Sequence, residues 1–208
     1  ILDWIDKFGD NGGCFWDVGA NIGLYSIYYA KNHGGKVVAF EPSVFNLTEL
    51  VKNININSVS SLVTIIPNPL SSKTGIEKFL LSGTDEGSAA NAFGVDYGQD
   101  GGKLAAVSSY PVLGFSGSDF FSMGLVKQPP SVIKIDVDGI EHLILQGMED
   151  VLRHPSCKSI FIEVNSEFYE QADLVSKYLI GYGFELASKE KSVLMKNSSS
   201  HNEIWHKL

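Results

Sequence analysis

Along most of this chain, short apolar runs of strand length alternate with stretches whose apolar residues recur at helical spacing. That alternation admits few folds. Each strand must be followed by a crossover helix, and the strands then line up as a parallel sheet with helices on both faces. The strand-like runs are 14–18, 36–41, 62–66, 131–136 and 159–164. Helical patterns fall at 2–8, 22–32, from Pro42 and Ser43 through Ile54, at 139–153 and at 167–182. The helix at 139–153 is the clearest, with Ile140, Leu143, Ile144, Gly147, Met148, Val151 and Leu152 forming one stripe. A strand pair at 184–188 and 203–208 closes the chain around a polar turn at 196–202.

Two further extended segments, 74–81 and 107–113, flank residues 82–106, which are rich in Gly, Ala, Ser and Asp and show no sustained period. A loop of that length in a compact domain is functional or disordered, and we read it as a substrate-side loop. The 208 residues suit one domain, 1–208, and 44% hydrophobic against 19% charged residues can fill its core. No apolar run approaches the ~18–20 residues of a membrane span, and no signal-peptide pattern opens the chain, so a cytoplasmic protein is expected. The formal charge of -8, with lysines scattered, disfavours nucleic acid as a partner. Cys14 and Cys157 lack the pattern of a disulfide framework or a zinc site and read as buried free thiols.

The ends of the first two strands carry the clearest chemistry. Ligands of an open parallel sheet sit where strands end and helices begin, which places Asp17, Gly19, Asn21, Gly23 and Glu41 around one cleft. Gly19 permits a tight turn and close backbone approach, because it has no β-carbon. Glu41 lies 24 residues after Asp17, near the spacing at which a carboxylate reaches ribose hydroxyls. An ionised carboxylate accepts several hydrogen bonds and so matches the vicinal diol of an adenosine. The dinucleotide fingerprint GxGxxG is absent, since only Gly19 and Gly23 are in register. A carboxylate at Asp17 would repel a pyrophosphate, but it suits the ammonium and sulfonium charges of S-adenosylmethionine. The plain structural alternative makes Asp17 a turn cap and the two glycines packing residues.

The segments DVGANIGLYS from Asp17, FEP from Phe40, NPLSSKTG from Asn68 and IKIDVDGIEHLILQG from Ile133 together resemble the FkbM-type methyltransferases, a branch of the class I S-adenosylmethionine-dependent family. The resemblance covers about residues 15–164. It implies a Rossmann-like α/β fold whose mostly parallel seven-stranded sheet has helices on both faces and an antiparallel last strand. It also implies methyl transfer to a hydroxyl of a small-molecule or carbohydrate acceptor. Carried over residue by residue, the cofactor site comprises Asp17, Gly19, Asn21, Gly23 and Glu41, with Asn68 as an adenine contact. The family pattern more often has a small residue after that asparagine, where this chain has Pro69, so Asn68 reads equally as a turn residue.

A second acidic cluster, Asp136, Asp138 and Glu141, ends another central strand. A hydroxyl acceptor needs help to lose its proton, from a general base or a metal. Asp136 is the best-placed residue for the acceptor or for the methionine end of the cofactor. Asp138 and Glu141 fit D-x-x-E before an apolar helix and read as a capping box. Glu163 could join Asp136 and Asp138 around a magnesium-like ion, although the residues favour a site without metal. His142, beside the stripe of its helix, is either a half-buried histidine or a catalytic base near the helix start. His33, His154, His201 and His206 show no ligand spacing, and Tyr25, Tyr28 and Tyr29 read as core residues. Two other readings compete with methyl transfer: a nucleotide-binding module that has lost catalysis, and an NAD-dependent oxidoreductase.

Overall fold

The computed structural model describes residues 1–191 and 199–207. In chain order the elements are α1 (Leu2–Phe8), β1 (Cys14–Val18), α2 (Leu24–His33), β2 (Lys36–Phe40), α3 (Val44–Ile56), β3 (Val63–Ile66), β4 (Leu70–Ser71), β5 (Gly75–Leu81), β6 (Ala92–Phe93), β7 (Ser108–Ser116), α4 (Gly117–Ser122), β8 (Val132–Ile135), α5 (Glu141–Gln146), α6 (Glu149–Arg153), β9 (Ser159–Asn165), α7 (Tyr169–Gly181), β10 (Glu185–Lys191) and β11 (Ser200–His206). Seven strands form the main sheet in the order β10-β11-β9-β8-β1-β2-β3. The run from β9 to β3 is parallel, and β11 enters antiparallel between β9 and β10. The fold expected from the strand–helix alternation and from the family resemblance is thus the one observed.

Period-two alternation sorts the central strands onto two cores. On β1, Cys14, Trp16 and Val18 face one side and Phe15 the other; on β8, Ile133 and Ile135 face the first side and Val132 the second. Trp16 is fully buried and meets Phe40 and Phe120 edge-on. Phe15 packs between Trp4 and Tyr29 on the other face. Each such ring contributes about 1.5–3 kcal/mol through burial alone. Cys14 and Cys157 are both buried and free, and burial pushes each thiol up to about 12.

Four departures from the expected elements have local causes. The helix read at 139–153 breaks into α5 and α6 where the backbone of Gly147 (φ -84°, ψ 1°) and Met148 (φ -115°, ψ 17°) leaves the helical range, and glycine is needed there because a β-carbon would stand 2.2 Å from the Ser71 carbonyl oxygen. The start read at 22 moves to Leu24 because Asn21 and Gly23 have φ of 50° and 88°. Residues 82–106 are not a bare loop: β6 pairs with β5, and with β7 and β4 they build a second, four-stranded sheet beside the cavity. Ser200 to Asn202, read as part of a turn, belong to β11; the rest of that turn up to residue 198, and Leu208, lie outside the described residues. Among the described residues no helix is long and apolar enough to cross a membrane.

Candidate active site

The parallel register sets Asp17 of β1 beside Lys134 of β8 on the same face, and Asp136 follows two positions later on that face. Asp17 and Lys134 are both buried. The Lys134 ammonium donates to the Gly19 carbonyl at 2.8 Å and to the Val18 carbonyl at 3.4 Å. It lies 3.3 Å from Asp17 Oδ1 and 3.6 Å from Asp136 Oδ2, and over the Tyr25 ring at 5.6 Å. The Asp17 contact is an ion pair without hydrogen-bond geometry, which leaves Oδ1 lacking a hydrogen bond, while Oδ2 accepts from the Ser26 hydroxyl at 2.7 Å. Burial pulls the ammonium of Lys134 toward neutrality, but Asp17 and Asp136 outweigh it and hold its titration above the ordinary lysine range. Lys134, which composition and motif reading passed over, is therefore the central charge of the site. Its signal was present in the sequence as a lysine inside an otherwise apolar strand.

Beyond β1 the chain turns through Gly19, whose φ is 78°. A β-carbon there would fall 2.1 Å from the Asp136 carbonyl oxygen, so only glycine lets the two strand ends meet this closely. Glu41, at the tip of β2, is buried. Its Oε2 accepts from the Asn21 amide at 2.7 Å, and its Oε1 from the Ser43 amide at 2.9 Å and the Asn46 side chain at 3.3 Å. Burial raises its titration against those hydrogen bonds. Four of the sequence-derived cofactor residues thus cooperate in one turn: Gly19 makes the close approach, Asn21 bonds Glu41, and Gly23 begins α2 in the left-handed region.

A cavity of about 400 Å³ lies over this turn. Gly19, Asn21, Glu41, Lys134, Asp136 and Asp138 line its polar side, and Pro69, Leu70, Phe79, Phe93, Ile140 and Ile144 its apolar side. Ser88, Ala89 and Asn91 close it from the segment read as substrate-side. That segment is tied down by Asn21 donating to the Gly87 carbonyl at 3.2 Å, by Asn46 holding Gly87 and Ser88, and by the Ala90 amide donating to Asp138 at 2.6 Å.

Several candidates sit elsewhere. Asp17 is behind the cavity wall, already paired with Lys134, and does not line the cavity. Asn68 points away: its side-chain amide donates to the Leu113 carbonyl at 2.8 Å, and its neighbours Pro69 and Leu70 form the wall instead. His142 is buried in α5, edge-on to Phe168 at 6.0 Å, and is not among the lining residues. Burial holds it below the usual imidazole range, against the pull of Glu170. Tyr29 and Tyr28 are structural, but Tyr25 lines the cavity.

The capping box expected of Asp138 and Glu141 does not form, because α5 starts after Ile140 and has no side-chain cap. Glu141 accepts from the Val137 and Gly139 amides and from Gln171, whereas Asp138, with φ of 68°, turns away to hold Ala90. Asp138 is pushed up to about 6 and Glu141 to about 7, in each case first by burial. Glu163, at the end of β9, rises to about 8 through burial and the charges of Asp136, Glu141 and Asp138. Among the described residues no group of three or more His, Cys, Asp or Glu side chains is arranged to hold a metal ion.

Comparison with known proteins agrees with this architecture. The family model described as the methyltransferase FkbM domain matches residues 17–201. A hexuronic acid methyltransferase of Haloferax volcanii is 30% identical over 153 residues, 73% of this chain. The chain spans 55% of the length of that relative. Among solved structures, an rRNA methylase from Streptococcus thermophilus superposes with a TM-score of 0.58 at 14% identity, covering 100% of this chain and 93% of its own. The protein TrmK of M. capricolum, solved with S-adenosylhomocysteine, superposes with a TM-score of 0.56 at 11% identity, covering 99% of this chain and 67% of its own. At those identities the likeness is one of fold.

Proposed function

The chain belongs to the FkbM methyltransferase family, and from that premise we propose that its cavity holds S-adenosylmethionine and that the chain methylates a hydroxyl of a carbohydrate-like acceptor. The observation that carries the reading is the pairing of Gly19 with Glu41. A glycine whose missing β-carbon lets the turn after β1 meet the Asp136 carbonyl lies beside a buried carboxylate at the next strand tip, both in the wall of one cavity. Glu41 spends part of its acceptor capacity on Asn21, Ser43 and Asn46. A carboxylate has about four acceptor sites, so capacity is left for a ribose diol.

When bound, the cofactor supplies a methyl group made electrophilic by its sulfonium. The chain's own residues account for the rest. The wall is rich in carboxylates, with Lys134 as its cation, so it favours a ligand of net positive charge over a pyrophosphate. Lys134 holds Asp17, Asp136 and the Gly19 carbonyl in one arrangement, and the strap through Ser88 and Ala89 covers the cavity against water. Asp136 is the carboxylate best placed to orient the acceptor, and alignment of acceptor with methyl carbon supplies most of the rate. The sugar-like acceptor is supported by the hexuronic acid substrate in the name of the Haloferax volcanii relative.

Calorimetry with S-adenosylhomocysteine and with NADH tests the donor. Binding of the first and not the second is expected, and Glu41→Ala should weaken it about tenfold or more with the fold intact. An absence of S-adenosylhomocysteine binding at high micromolar protein would sink the reading.

A further inference from the structure

The first cavity has the volume of a site for one small ligand, so the acceptor needs a seat of its own. A second cavity, of about 420 Å³, is lined from the next residue of the same strap. Ala89 lines the first and Ala90 the second, and Asp138 in the first wall holds the Ala90 amide. The wall of the second cavity carries Gln99, Asp100, Lys103, Asn165 and Glu167. Short amides and carboxylates of this kind pair with neighbouring hydroxyls, since each offers donors or acceptors two at a time.

Glu163 lines neither cavity, but it links their walls through its neighbours. It is buried at the end of β9, one strand from Asp136, and its Oε2 accepts from the side-chain amide of Gln99. Gln99 belongs to the second wall and Asp136 to the first. The two carboxylates differ in one respect that matters for proton transfer. Asp136 has the Lys134 ammonium 3.6 Å away, so one of its oxygens is already engaged by a cation. Glu163 has no cation within ion-pair distance among the described residues. The groups that act on it are Asp136, Asp138 and Glu141, with Lys134 more weakly opposed.

We propose that the second cavity seats the acceptor, a hydroxylated ring of carbohydrate type, and that Glu163 takes the proton of the hydroxyl being methylated, exchanging its Gln99 partner for that hydroxyl. This rests on the donor assignment of the first cavity. In the step, the acceptor oxygen bonds the methyl carbon, the carbon–sulfur bond breaks with its electron pair left on sulfur, and the hydroxyl proton passes to the Glu163 carboxylate. One positive and one negative charge disappear together, so no charge is stranded in a buried site. A carboxylate titrating near 8 is ionised in growing fraction across the neutral range, which suits a base working there.

The test uses the full chain loaded with S-adenosylhomocysteine and two probes, methyl glucuronide and methyl glucoside. Side-chain amide and carboxyl NMR should show the Gln99 and Glu163 resonances moving with at least one probe; a response to the glucuronide alone would put Lys103 on the ring carboxylate. Glu163→Gln should leave S-adenosylhomocysteine affinity within about threefold. It should lower turnover of the responding probe about a hundredfold or more, the size of a lost general base, with partial recovery in Glu163→Asp. Normal S-adenosylhomocysteine binding with Gln99 and Glu163 unmoved by both probes would overturn this inference and leave the donor site standing. So would turnover in Glu163→Gln within tenfold of the parent. Failure of S-adenosylhomocysteine to bind would remove the donor assignment and this inference with it.

Discussion

Replacing Lys134 by methionine keeps most of its length and removes the buried charge together with its hydrogen bonds to the Gly19 and Val18 carbonyls. Asp17 would then keep the Ser26 hydroxyl but lose its counter-ion, while remaining fully buried. Breaking a buried pair from one side costs about 3–5 kcal/mol, because an uncompensated charge is left behind. In a domain of this size each kcal/mol moves the midpoint by about 2–4 °C, so a fall of roughly 6–20 °C is expected. The companion variant Asp17→Asn combined with Lys134→Met removes both charges and should recover about 2 kcal/mol or more of that loss, a coupling measurable in a double-mutant cycle. The pH dependence has a fixed sign. An unpaired Asp17 has its folded titration raised above the ordinary carboxylate value near 3.9, so the folded state holds a proton that the unfolded state releases. The deficit of Lys134→Met is then smallest near pH 4 and grows as pH rises. Urea denaturation at pH 4.5 and pH 7.5, read as midpoint at constant slope, checks both points. A single variant within 1 kcal/mol of the parent, or a double variant no better than the single, would refute the charge argument.

Three further outcomes are expected. Asp138, Glu141 and Glu163 are raised to about 6, 7 and 8 in the folded chain, above their ordinary values, so stability falls as pH rises from about 4 to about 8; thermal melts should show this, and Glu163→Gln should flatten the upper part. Gly19→Ala places a β-carbon against the Asp136 carbonyl in a left-handed backbone and should cost about 1–2 kcal/mol for the conformation alone, more once the strand ends part; denaturation would show it, and S-adenosylhomocysteine affinity should fall with it. Asp138→Asn keeps the shape but weakens the acceptor of the Ala90 amide, so exchange of that amide should speed about tenfold with global stability unchanged.

Much of this protein is determined by sequence periodicity and by residue type. Strand-length apolar runs separated by helices leave a parallel sheet as the arrangement that buries both faces, and a positive-φ glycine turn after β1 puts cavity-lining groups at its edge. Gly19, Asn21, Glu41 and Asp136 could be picked out as cavity-lining residues because each follows the end of a parallel strand, a position set by the strand–helix alternation. The structure decided what depends on neighbours far apart in sequence. Asp17 reads alone as a cofactor ligand, yet strand register brings Lys134 to it across 117 residues and makes it a buried partner. Asp138 reads as a helix cap, yet the strap from 88 to 91 reaches it first. His142 reads as a helix-start base, yet its turn of α5 faces Phe168 rather than the cavity. A charge or hydrogen-bonding group can be named from sequence, but its partner is chosen by sheet register and packing, and the partner decides whether that group binds, catalyses or merely holds the fold together.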